Sequence, residues 1–266
     1  MKLKKKYLLF FLFPSVCLAD PSLADPCTNL FALLNRPTVL DSPCAVKSGD
    51  AMIEAGYQFQ TLYPENGQGN NFPEALLRFG LPGLNELAVL MPNYVDNHLD
   101  DADELTGSTA TVVTLKHQFP IYQQKWVYAA ESAFTLPTGN DAFGSDALGV
   151  TLNGIVNYDF TPDISATLML GVSSLSASPN DGGQRYTSFN PDLVLSWQTT
   201  HNSQIYAEVY GQTKTYPNEH SGYNTDVGIQ YLLTENIEVD AEYGRRISGQ
   251  LGGFSNYYGV GGGIRF

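Results

Sequence analysis

The chain has 266 residues, of which 43% are hydrophobic, 12% aromatic and only 15% charged. It is too apolar and too rich in aromatic residues to be a disordered polypeptide. Its 27 acidic residues outweigh 14 basic ones, and a formal charge of −13 argues against nucleic acid as a partner.

Lys2, Lys4, Lys5 and Lys6 are followed by an apolar run from Tyr7 to Phe13. Cys17-Leu18-Ala19 or Ser22-Leu23-Ala24 then supplies a small-residue cleavage site. We read residues 1–19 as a secretory signal peptide, with cleavage after Ala24 as the alternative. A membrane anchor needs about 20 apolar residues, whereas Tyr7 to Ala19 is shorter and broken by Pro14. Pro14-Ser15-Val16 ahead of Cys17 lacks the Leu-x-small pattern of lipoprotein processing.

Residues 20–50 read as an N-terminal periplasmic segment carrying Cys27 and Cys44. Beyond the cytosol, a disulfide is the expected pairing, worth roughly 3 kcal/mol in the chain-entropy model. No nearby Cys or His completes a metal set. Leu30-Phe31-Ala32-Leu33-Leu34 is a candidate short helix that caps or plugs the bore of the domain beyond it.

From residue 51 onward the hydropathy period is two. Ile53, Ala55, Tyr57 and Phe59 fall on one face, Glu54, Gly56, Gln58 and Gln60 on the other. The pattern predicts twelve strands, at 51–63, 73–81, 86–94, 109–119, 126–136, 148–158, 164–175, 187–198, 204–214, 223–233, 237–246 and 257–266. Each is near the roughly 9–11 residues a tilted strand needs to cross a bilayer.

A soluble sandwich also alternates, but three features favour a membrane barrel. Short turns such as Pro82–Asn85 and Thr234–Asn236 alternate with longer loops such as Pro64–Phe72, Val95–Ser108 and Pro137–Ala147. Oily-face aromatics collect at the turn ends (Phe79, Phe119, Trp126, Tyr158, Trp197, Tyr231 and Phe266). A second set, Tyr63, Phe134, Phe189, Tyr223 and Tyr258, lies near the loop ends. Two such rings are the interfacial girdles of outer-membrane barrels. Finally, the chain stops on alternating Tyr258, Val260, Ile264 and Phe266, the kind of C-terminal strand that outer-membrane assembly machinery reads. The expected fold is therefore all-β: one antiparallel transmembrane barrel over 51–266, preceded by the short segment. It would sit in the outer membrane of a Gram-negative bacterium, against lipid and lipopolysaccharide. Lipid offers no partner to an open strand edge, so the barrel must close.

Glu54, Glu74, Arg78, Lys116, Glu131, Asp192, Glu208, Lys214, Asp226, Glu238, Asp240, Glu242, Arg246 and Arg265 fall in the polar phase. Cations on the lipid face would cost about 2–4 kcal/mol at mid-depth, so these residues are expected to face the lumen. Two readings stay open: a channel whose acidic wall favours cations or neutral solutes, and a bore closed by Arg–carboxylate pairs.

No catalytic or cofactor site is expected. His201-Asn202-Ser203 resembles a His-x-Ser pair of lipid A deacylases but falls in a turn at the wrong end, and Glu219-His220 lacks the paired aspartates of surface proteases. Asp96, Asp100, Asp101, Asp103 and Glu104 form an acidic run without an EF-hand loop, read as a solvated outer loop. Gly259–Gly263 is followed by no helix, so it is read as close strand packing rather than a phosphate cradle.

Pro73-Glu74-Ala75-Leu76-Leu77-Arg78-Phe79-Gly80-Leu81, then Asn85-Glu86-Leu87, and later Leu136-Pro137-Thr138-Gly139, resemble a known family over most of the mature chain. It is the MetA-pathway phenol-degradation family of outer-membrane barrels, often labelled transporter. The matching features are an acid-x-x-x-Arg-aromatic-Gly pattern in early strands and a Leu-Pro-Thr-Gly ending a later one. The resemblance implies passage of small solutes, aromatic ones included, across the outer membrane, and together with the lack of a catalytic arrangement we expect a passive channel that is not an enzyme. A non-conducting structural or adhesive barrel and a lipid hydrolase are the alternatives.

Overall fold

The computed structural model describes residues 26–100, 103–121 and 125–266. The signal peptide assigned to 1–19, its alternative cleavage site and Asp101 of the acidic run lie outside the described residues.

Alternation becomes strand wherever it is long and uninterrupted. β1 (Ala51–Leu62) opens the sheet. Six shorter strands follow: β2 (Gly67–Phe72), β3 (Leu76–Leu81), β4 (Asn85–Leu90), β5 (Tyr94–Leu99), β6 (Leu105–Ser108) and β7 (Val112–Gln118). Then come β8 (Trp126–Thr135), β9 (Gly149–Asp159), β10 (Ile164–Ser176), β11 (Arg185–Thr200), β12 (Ser203–Gln212), β13 (Gly222–Thr234), β14 (Ile237–Ser248) and β15 (Phe254–Arg265). Neighbours pair antiparallel, and β15 returns to β1 from Met52↔Arg265 to Leu62↔Phe254, closing the wall. Phe266 sits on this seam, exchanging main-chain hydrogen bonds with Ala51.

The fifteen segments make a twelve-stranded barrel because three staves are each built from two pieces. The lower half of β1 pairs with β3 and its upper half with β2. The lower tier continues β3–β4–β7–β8, and the upper tier β2–β5–β6. The strands expected to run unbroken over 73–81, 86–94 and 109–119 are thus the parts of longer staves interrupted at 73–75, 91–93 and 109–111. Pro73 and Pro92 stand in two of the breaks, where a residue without an N–H cannot continue the ladder. Single main-chain bonds carry the wall past them: Gly56 N–H to Pro73 O at 2.7 Å, Met91 N–H to Ala75 O at 2.8 Å and Thr109 N–H to Asn93 O at 2.9 Å. Two stretches expected as loops, 64–72 and 95–108, accordingly hold strand. The polar, non-alternating Gly67–Phe72 is strand because its neighbours supply backbone partners.

The far edge of β6 is not paired with β8. Asn140, from the loop 136–148, takes its place, its main-chain N–H donating to Ser108 O and its side chain to Thr106 O.

Outward residues are exposed and oily, Leu152, Leu195, Val227, Ile229 and Val260 among them. Inward residues are buried and largely polar. The segment before β1 lies inside this bore. A 3-10 turn (Pro26–Thr28) leads into α1 (Leu30–Leu33), N-capped by the Asn29 side chain accepting from Phe31 N–H. Cys27 and Cys44 are disulfide-bonded with Cα atoms 5.3 Å apart. Leu30, Phe31, Leu33, Leu34 and Val46 pack with Met52, Val127 and Leu232 of the wall. The turn at Leu40 reaches Ala129, Ile155, Met169, Val194 and Tyr206. Residues 26–50 thus fill the bore, with the short helix expected at Leu30–Leu34 among them, and their apolar side chains pack on one another and on these few wall residues.

Candidate functional site

The bore and its plug form the site. Seven wall side chains satisfy the main chain of the inserted segment, as a sheet edge would if one were available. Glu54 accepts from the N–H groups of Asn35 (3.0 Å) and Arg36 (2.7 Å), and Glu208 from Val39 (3.0 Å) and Leu40 (2.9 Å). Glu86 accepts from Val46 and Gln118 from Ala45, both at 2.8 Å. Gln230 donates to Arg36 O, and Arg78 donates to the carbonyls of Leu33 and Cys44. Arg265 completes the set at the turn end, donating to Thr28 O at 3.2 Å, and Lys116 stands in the wall within 3.7 Å of Glu86 and 3.8 Å of Glu131.

Two kinds of electrostatics coexist on this inner face. Arg78, fully buried, donates to Glu54 at 2.8 Å and holds Glu86 with two hydrogen bonds at 2.8 and 3.0 Å. Across β11–β13 the carboxylates have no such partner. Glu208 stands directly opposite Asp226, a like-charged cross-strand pair that is unfavourable by itself. Both Asp192 oxygens and Asp226 Oδ1 lack a donor among the described residues, as do both oxygens of Glu238 on the neighbouring β14. Among the described residues, nine buried carboxylates and two buried bases line the inner wall.

Every residue of the expected lumen set lies in the inward phase or at a bore end. Glu54, Arg78, Lys116, Glu131, Asp192, Glu208, Asp226, Glu238, Asp240 and Glu242 are buried. Glu74 falls in the first wall break and receives Arg36. Arg246 stacks 3.6 Å above the Tyr63 ring, so Tyr63 belongs to the loop-end mouth and not to an outer girdle. Lys214 lies past the end of β12, and Arg265 binds Asn236 and the Glu235 and Thr28 carbonyls at the turn end. Sequence reading missed Arg36 and Glu86. Glu86 shares its inward phase with Ala88 and was there to be found; Arg36 sits in a stretch with no period, where only its isolation as a charge beside an apolar run marked it.

Of the turn-end aromatics, Phe79, Phe119, Trp197, Tyr231 and Phe266 are exposed on the outer wall. Trp126 packs against Tyr158 with centroids 4.4 Å apart, extended by Tyr128 and Phe160, which the sequence reading did not single out. Phe189 and Tyr258 are exposed near the loop end, and Phe134 and Tyr223 are partly covered.

The remaining motifs lie in a turn, at the loop end and in β15. Ser203 Oγ is bonded to Thr199 and Thr200 Oγ1 at 2.8 and 2.6 Å in an exposed turn, and no described contact joins it to the His201 ring. Asp96, His98 and Glu104 bring donor atoms within 4.8 Å of one another at the loop end, mostly exposed. Gly259, Gly261 and Gly263 leave room for Glu242, Arg36 and Leu34.

A closed antiparallel wall, oily outside and carboxylate-lined inside, with its own N-terminal segment folded into the bore, is the build of a membrane-spanning β-barrel. The chain belongs to the family described as "Putative MetA-pathway of phenol degradation", which matches residues 34–260. No curated protein matches it significantly in sequence. Its fold is shared with solved channels. The COG4313 outer membrane channel from Pseudomonas putida F1 superposes with a TM-score of 0.64 at 12% identity, covering 84% of this chain and 97% of that one. The KdgM porin gives 0.56 at 11% identity over 81% and 99%, and the NanC porin 0.53 at 12% over 80% and 98%.

Proposed function

We propose that this protein is a passive channel of the bacterial outer membrane for small cationic or neutral solutes, with residues 26–50 as a resident plug. The inner wall carries the reading: nine buried carboxylates against two bases repel anions and favour positive charge. The fold shared with solved outer-membrane channels supports a role in passage, and the family's description, which names phenol degradation, fits small aromatic molecules among the cargo. Beside the plug a cavity of about 300 Å³ runs from the Asp159–Asp163 turn past Asn157, Thr167 and Gln204 to Tyr206 and Gln230. Its lining mixes amides and hydroxyls with the Asp159 and Asp163 carboxylates and apolar side chains, which suits small polar or cationic solutes. Lipid and lipopolysaccharide would surround the wall, and the exposed Phe266 at the seam fits the signal read by assembly machinery. No catalytic machinery is part of this reading.

Recording from the purified full-length protein in planar bilayers tests it. Discrete conductance steps are expected, with a reversal potential under a KCl gradient that favours K⁺. Substituting Asp192→Asn together with Asp226→Asn is expected to weaken that preference. Silent bilayers, or a preference for Cl⁻, would overturn the proposal. Lipid turnover abolished by His201→Ala would establish the hydrolase instead.

A further inference from the structure

The plug is held at one point by a planar cation in a slot made for it. The Arg36 guanidinium donates from Nε and Nη2 to the two oxygens of Asp240, at 3.3 and 3.1 Å, the bidentate geometry that suits its fork. Nη1 donates to Glu74 at 2.5 Å, and Glu242 stands 3.8 Å from Nη2. The slot walls are Gly56 of β1 and Gly261 of β15: a Cβ at either would lie 2.3–2.6 Å from guanidinium atoms. Glu74 is turned toward Arg36 from the first wall break with a φ of +46°, a backbone region that residues other than glycine rarely occupy. Three carboxylates, two on β14 and one in the first wall break, together with two glycines and one strained backbone, thus converge on a single flat cation.

We propose that this slot is the channel's recognition site for solutes bearing a guanidinium group, with Arg36 as a tethered stand-in that such a solute displaces. The inference rests on the channel reading above. Arg36 competes as a group already confined to the bore, at an effective concentration on the order of millimolar. A free cation therefore competes at similar concentrations. When it takes the slot, the plug loses its bidentate anchor and the open bore becomes the more populated state.

Methylguanidinium is the probe, and urea, flat but uncharged, is the control. With the full-length protein in planar bilayers, methylguanidinium at roughly 10 mM is expected to raise the fraction of time open several-fold. Urea and an equal addition of NaCl are expected to leave it unchanged, and Asp240→Asn with Glu242→Gln to abolish the response. A channel that conducts but answers methylguanidinium and urea alike would overturn the slot and leave the channel reading standing. Calorimetry decides the slot even without conductance. Detergent-solubilised Arg36→Ala barrel, checked as folded by its heat-dependent gel mobility, should bind one methylguanidinium, and should lose that binding when Asp240→Asn is added. Absence of binding heat in the folded Arg36→Ala barrel would overturn the assignment.

Discussion

The wall is built in two ways, and each leaves the opposite mark on its inner face. Strands β8 to β15 run 10–16 residues and pair continuously with their neighbours. Strands β2 to β7 are pieces of 4–7 residues separated by breaks that single hydrogen bonds span. Beneath the broken arc the inner charges are paired: Arg78 with Glu54 and Glu86, Lys116 near Glu86 and Glu131. Beneath the continuous arc Asp192, Glu208, Asp226 and Glu238 face no base of the wall. Where the ladder lapses, side-chain pairing and the plug hold the staves together. Where the ladder is complete, the wall holds without such pairing, and several inner carboxylates go without a cation of the wall.

The sharpest way to break this contrast is to remove one cation from the broken arc. Arg78→Ala leaves Glu54 and Glu86 buried without their partner and strips donors from Leu33 O and Cys44 O. Loss of one member of a buried pair costs about 3–5 kcal/mol, to be read as a lower midpoint for loss of the heat-modifiable folded band. Asp192→Asn, in the continuous arc, removes a charge with no partner and is expected to be neutral or stabilising in the same assay. Equal losses at the two positions would erase the distinction.

A smaller effect separates plug from wall. Cys27→Ser with Cys44→Ser reopens a loop of sequence separation 17 worth roughly 3 kcal/mol in the chain-entropy model. The loss should fall on plug docking, so faster proteolysis within 26–50 is expected, with the wall's melting midpoint unchanged. A fall in that midpoint would mean the plug is part of the wall's own stability.

The smallest effect concerns the long loops of the continuous arc. Hydrogen bonds from Tyr216 (2.6 Å) and Ser178 (2.8 Å) hold the Asp181 carboxyl below its ordinary range. A depressed folded pKa means this contribution is present above the unfolded value, about 3.9, and lost as pH falls through the folded one. Tyr216→Phe is expected to move the Asp181 titration midpoint upward in carboxyl-resolved NMR, without touching the bore.

Periodicity carried most of the fold. Alternation at Met52–Gln60, at 187–198 and at 237–246 names the inward residues directly, because a side-chain period of two leaves each position only two faces. The closing aromatic and the acid-rich polar phase followed from the same signal. Gly67–Phe72 escaped it because polar residues and glycine write no alternation, and the staves of the broken arc were split there and at 91–93 and 109–111.

The sequence by itself determined a closed, oily-faced barrel with an acidic interior and a disulfide-bearing segment ahead of it. Only the tertiary structure decided where that segment goes and what holds it. An aperiodic stretch has no preferred face until a wall offers one, and Arg36 meets Glu74, Asp240, Gly56 and Gly261 only because closure of β15 on β1 brings distant positions together.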